Sequence, residues 1–134
     1  MQKISKESIL KIMSRPSSVA EILKLSNVPV VCIDDHGLFT FINRTFTQTY
    51  GWTESELIGK PVTTIMPSQF RDAHIVGFSR FLATETARLT GKPLPLAILY
   101  KDETVADAEH FILAEKNDNR WRFAATITPR QHEQ

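Results

Sequence analysis

Between Leu94 and Thr128 the chain has little choice but antiparallel strands. Three strand-like runs follow one another: Leu94 to Tyr100, Ala106 to Lys116 and Arg120 to Thr128. Only Lys101-Asp102-Glu103-Thr104 and Asn117-Asp118-Asn119 separate them. Connections that short join antiparallel neighbours, because a parallel crossover needs about a dozen residues or more. In the last run Trp121, Phe123, Ala125 and Ile127 fall on one side, with Arg120, Arg122, Ala124 and Thr126 on the other. That alternation suits an antiparallel sheet with one covered face.

A strand pair precedes this meander. Val28 to Ile33 is apolar and rich in β-branched residues, as buried strands are. Asp34-Asp35-His36-Gly37 supplies turn chemistry, and Leu38 to Asn43 returns with Phe39 and Phe41 alternating against Leu38, Thr40 and Ile42. Asp34, Asp35 and His36 therefore read as solvated turn residues rather than catalytic groups.

Helices fill the centre. Arg44 to Tyr50 predicts a short helix stopped by Gly51. Thr53-Glu54-Ser55-Glu56 is a capping box that opens another, closed by Gly59. After Pro61 and Pro67 a longer helix is predicted from Ser68, as N-cap, to Thr84. Phe70, His74, Phe78 and Phe81 are spaced to share one of its faces. A core-facing imidazole is either a satisfied structural group or a ligand for something bound.

The first 25 residues read as two helices interrupted at Arg15-Pro16. Ile4, Ile9, Ile12 and Met13 form the apolar stripe of the first. The second is capped by Ser18 with Glu21, carries Val19, Ile22 and Leu23, and extends to Leu25. Such stripes must pack on the rest of the chain or on a second copy, so a homodimer is expected. The organisation is thus an N-terminal helical cap and dimerisation segment over 1–25, a domain over 26–129 and a frayed tail over 130–134. The fold class is α+β: a five-stranded antiparallel sheet with short helices on one face and an N-terminal helical cap. A curved sheet under helices encloses a small apolar chamber, the usual place for a ligand.

Composition narrows the function. The net charge of +1 comes from interleaved signs, without the basic stripe of a nucleic-acid module. The single cysteine, Cys32, lies in an apolar run and reads as a buried small hydrophobe. No apolar run reaches the ~20 residues of a membrane span, and the start lacks a signal peptide's apolar core, so a cytoplasmic protein is expected. Asp102, Glu103, Asp107, Glu109 and His110 are the available acids and bases. Asp107, Glu109 and Phe111 share one strand face, with His110 on the other. No nucleophile–base pairing, phosphate-cradling glycine loop or metal spacing accompanies them, so no enzyme is expected.

Several segments together resemble PAS domains. They are Val30-Val31-Cys32-Ile33-Asp34-Asp35-His36-Gly37, Phe41-Ile42-Asn43, and Tyr50-Gly51-Trp52-Thr53-Glu54-Ser55-Glu56-Leu57-Ile58-Gly59-Lys60. The last is close to the family's "(F/Y)GY…EELIG(K/R)". Lys101-Asp102-Glu103 stands where the family often has Lys-Asp-Gly, and Ala125-Thr126-Ile127-Thr128 resembles its closing Asp-Ile-Thr. The resemblance implies a sensory and dimerisation module that relays a signal to an effector domain or partner protein, with ligand-free dimerisation as the alternative.

Within that family, Pro67, Arg71 and His74 resemble the helix of haem-binding PAS domains in bacterial oxygen sensors. The likeness implies His74 as an iron ligand and Arg80 as a propionate partner, with Phe70, Phe78 and Leu94 beside the ligand. Leu94 falls where those sensors place a gas-contacting arginine, so oxygen stabilisation by that route is not expected. Flavin is the less favoured cofactor: the Asn-Cys-Arg of the light-sensing subclass is missing, although Trp52 and Trp121 offer ring-stacking surfaces.

Overall fold

The meander forms as its turns require. In the computed structural model of the chain, which describes residues 15–85 and 90–130, β3 (Leu94–Leu99), β4 (Val105–Asn117) and β5 (Arg120–Pro129) pair antiparallel in sequence. β1 (Val30–Asp34) joins the free side of β5, and β2 (Phe39–Ile42) pairs with β1. The five-stranded order is β2-β1-β5-β4-β3. The stripe from Ile4 to Met13 and the tail from 131 onward lie outside the described residues.

Both faces of the sheet carry core, where the alternation of β5 alone suggested one. Val31, Ile33, Ala125 and Ile127 point to an inner face, against α2 (Arg44–Tyr50) and α3 (Glu54–Leu57). Val30, Cys32, Phe111 and Ala124 point to the outer face, where α1 (Val19–Leu23) seals them with Val19 and Ile22. α1 is shorter than expected. Ser18 Oγ accepts from Glu21 N–H as a cap should, but the Glu21 carboxylate turns back to Ser17 instead of closing the box on Ser18. Glu115 completes the docking by accepting from Val19 N–H.

The β1–β2 hairpin departs from strict alternation. A bulge between Cys32 and Ile33 shifts the register, so that Ile42 opposes Val31 while Phe39 opposes Ile33. Phe39 and Ile42 are therefore both buried on the inner face, and Phe41 is exposed. An extra residue in one strand re-aims everything beyond it. Asp34 holds the turn by accepting from the N–H groups of His36 and Leu38, the solvated role expected of it.

Two distant segments of the family-like pattern meet at the β3–β4 turn. Gly51 ends α2 at φ 91°, and a Cβ there would stand 3.0 Å from Lys101 Cβ. Lys101 N–H donates to Tyr50 O, and Trp52 Nε1 donates to Leu99 O. The Lys101 ammonium beside Glu56 holds that carboxyl down at about 2. Glu56 also accepts from Thr53 N–H, completing the box expected at α3. Glu103 occupies the turn at φ 74°, a left-handed conformation that costs an L-residue about 1–2 kcal/mol. Glycine removes that cost but enlarges the unfolded ensemble, so Glu103→Gly should stabilise the domain by about 0.5–1 kcal/mol. Urea unfolding will show a raised midpoint; an unchanged or lowered one means the turn is not strained.

Candidate functional site

α4 (Ser68–Thr84) crosses the inner side of the sheet and is fixed mainly at its ends. It begins at Pro67, not Ser68, as N-cap, and Arg71 Nε donates back to Met66 O at 3.1 Å. At the far end Phe81 packs edge-on against Trp121 and Phe123, with ring centroids 4.8 and 5.2 Å away. Phe78 touches Phe123 at 5.3 Å, and Lys116 pairs with Glu85 just beyond the helix. Phe81 is the one buried residue of the helix. Ile75 and Val76 are 54% and 58% exposed.

Phe70 departs from the expectation for this face: it is 48% exposed. Helical spacing aligns Phe70 with His74 and Phe78, but the aromatic contacts with β5 reach only Phe78 and Phe81. His74 lies between, half-buried, with its ring stacked on Phe78 at 5.8 Å and 22°. Burial pushes its pKa below the ordinary histidine value, leaving the imidazole neutral at pH 7. No described residue hydrogen-bonds the ring. Arg80 is exposed.

Leu94 opens β3 on the inner face, paired across to His110 of β4. Beside it lies a shallow hollow of about 160 Å³ lined by Pro93, Leu94, Pro95, Glu109 and Arg130. His110 is half-buried, and its Nδ1 stands 3.0 Å from Ala108 O. Burial lowers its pKa too. Sequence reasoning grouped His110 with possible acids and bases; its parity against Asp107 and Glu109 already set it on the opposite face.

Asp102, Trp52, Trp121 and Cys32 have structural surroundings of their own. Asp102 accepts from Thr104 N–H and Oγ1 within the β3–β4 turn. Trp52 and Trp121 are engaged with Leu99 O and Phe81, not arranged as a free stacking pair. Cys32 is buried on the outer face, away from α4, and burial pushes its thiol pKa up. Among the described residues no helix is long and apolar enough to cross a membrane.

This chain belongs to the PAS fold family, whose sequence profile it matches over residues 18–88. It is a PAS domain. An uncharacterized protein of Azorhizobium caulinodans is 29% identical over 99 residues, 73% of this chain and 14% of that protein. Sensor protein FixL of Bradyrhizobium diazoefficiens is 28% identical over 78 residues, 58% of this chain and 15% of that protein. The chain thus spans a small part of these curated relatives. Among solved structures, a PAS domain from Desulfitobacterium hafniense superposes with a TM-score of 0.62 at 20% identity, over 81% of this chain and 98% of that one. The Rhodobacter sphaeroides LOV protein gives 0.62 at 12% identity, over 83% and 64%. At such identities these two speak for the fold alone.

Proposed function

We propose that this domain is a sensor that holds a haem between α4 and the inner face of the sheet, with His74 as the iron ligand. One observation carries the reading: a neutral, half-buried imidazole on the sheet-facing side of α4 that no described residue hydrogen-bonds. The donor set suits the group. A neutral imidazole is a sound axial ligand, and exposed Arg80 is free to pair with a propionate at the rim. Phe78 and Leu94 supply apolar contact, and half-exposed Phe70 would gain cover from a bound ring. Haem would supply a redox-active, gas-binding iron.

The chain's own part is to hold that ligand and report its state. α4 is weakly seated between its two anchored ends, so occupancy can shift its packing on the sheet. The sheet connects directly to α1 on the other face through the Glu115 contact with Val19, a route toward an effector domain or partner protein. Relay through a homodimer would have to use surfaces other than Val19 and Ile22, which a single chain already covers completely.

The test is an ultraviolet–visible titration of the purified protein with hemin, beside His74→Ala. A sharp Soret band that saturates at one equivalent and collapses in the variant is expected. A featureless titration, or a band indifferent to the substitution, overturns the haem reading and leaves ligand-free dimerisation or a colourless ligand as the account.

A further inference from the structure

We infer that α4 carries a self-complementary docking face whose partner is a second copy of this chain, bound antiparallel across a two-fold axis at Val76. Phe78 and Phe81 turn one side of the helix to the sheet. At about 100° per residue, Val76 comes out on the opposite side. It is the most exposed large hydrophobic side chain among the described residues, at 58%. Asp72 and Arg80 stand one turn before and one turn after it, and both are exposed. Neither has an ion-pair partner among the described residues. Along the helix they are about 12 Å apart, too far to pair with each other.

These three residues form one ridge of the helix surface, and such ridges are what neighbouring helices pack against. The ridge reads acid, apolar, base along the chain. Set antiparallel against its own copy, it brings Val76 onto Val76, Asp72 onto the second copy's Arg80, and Arg80 onto the second copy's Asp72. Set parallel, it opposes like charges, so the charge order selects the two-fold arrangement. Ala73 and Ser79 flank Val76 symmetrically, and both are small and exposed, so nothing bulky holds the two helices apart. The apolar face of α1 cannot serve instead, because its own chain already covers Val19 and Ile22. One helix face is a small contact, so the association is weak and reversible. The inference does not rest on the haem reading: in the ligand-free protein Arg80 has no propionate to hold.

The experiment is sedimentation velocity of the full, ligand-free chain over a concentration series. The wild type should show a monomer–dimer equilibrium that weakens as salt is raised. Asp72→Arg and Arg80→Asp each set two like-charge pairs across the axis, and each should weaken association at least about tenfold. Mixing the two single variants should restore it as a heterodimer, because every pair across the axis is then Arg against Asp. The double variant, Asp72→Arg with Arg80→Asp, should restore the homodimer for the same reason. Both positions are exposed, and circular dichroism checks that each variant is folded. A wild type that stays monomeric at millimolar concentration overturns the inference. So does a dimer indifferent to the single exchanges, which places the interface on another face. Association that neither the mixture nor the double variant restores overturns the antiparallel pairing.

Discussion

Replacing Asn43 by alanine should cost about 3–4 kcal/mol of stability, far more than its half-buried position suggests. The side chain makes four hydrogen bonds, using both ends of the amide. Oδ1 accepts from Phe46 N–H at 2.9 Å, capping α2, and from Val30 N–H at 3.0 Å. Nδ2 donates to Leu25 O at 3.1 Å and to Val28 O at 2.8 Å. One amide thus ties together the start of α2, the start of β1 and the segment leading from α1. Losing a cap costs about 1 kcal/mol, and each further bond about 1 more because its backbone partner is left unsatisfied. For a domain of this size the midpoint of thermal unfolding should fall by roughly 10 °C or more. Asn43→Asp separates the two halves. Aspartate keeps the acceptors and caps well, but sets a carboxylate against two carbonyls, so only the capping share should return. A loss below about 1 kcal/mol for the alanine variant would mean that water replaces these bonds and that the segment before β1 is held by apolar contact alone.

Asn43 also illustrates what could be read from the chain beforehand. Caps and turns were legible where the chemistry is local. Gly51 stops α2, the Thr53–Glu56 box opens α3, and α4 spans Ser68 to Thr84 as its spacing implied. Nonlocal partners were not legible. The bonds from Asn43 to Leu25 and from Trp52 to Leu99 depend on how loops fold over one another, which no periodicity encodes. The β1–β2 bulge was hidden because alternation assumes equal residue counts on both strands. His74 was singled out by its place on an apolar helical face. His110 was set on the correct side of β4, but that this side is the inner one follows only from its pairing with Ile127. Phe70 shows the converse limit: helical spacing says which residues share a face, not how far the sheet extends beneath it.

That geometry makes Phe81 the pivot of the candidate site, and Phe81→Ala should detach α4 rather than simply weaken the domain. Phe81 is the buried residue of α4, held edge-on by Trp121 and Phe123. Truncating a buried phenylalanine costs about 3–5 kcal/mol, including the aromatic pairs of about 0.5–1.5 kcal/mol each. What remains at that end is the half-buried Phe78 and the Lys116–Glu85 pair, and exposed pairs contribute about 1 kcal/mol at most. The helix also exposes Ile75 and Val76, so it has little other burial to lose. Hydrogen exchange should therefore show α4 amides approaching unprotected rates, while the amides of β1, β4 and β5 lose only the protection set by the global change. On the haem reading proposed above, the same variant should release hemin readily even with His74 intact, because the imidazole no longer has a fixed position over the sheet. If α4 stays as protected as the strands, the helix is seated by more than its aromatic end, and a ligand beneath it could not move it by so small a shift in packing.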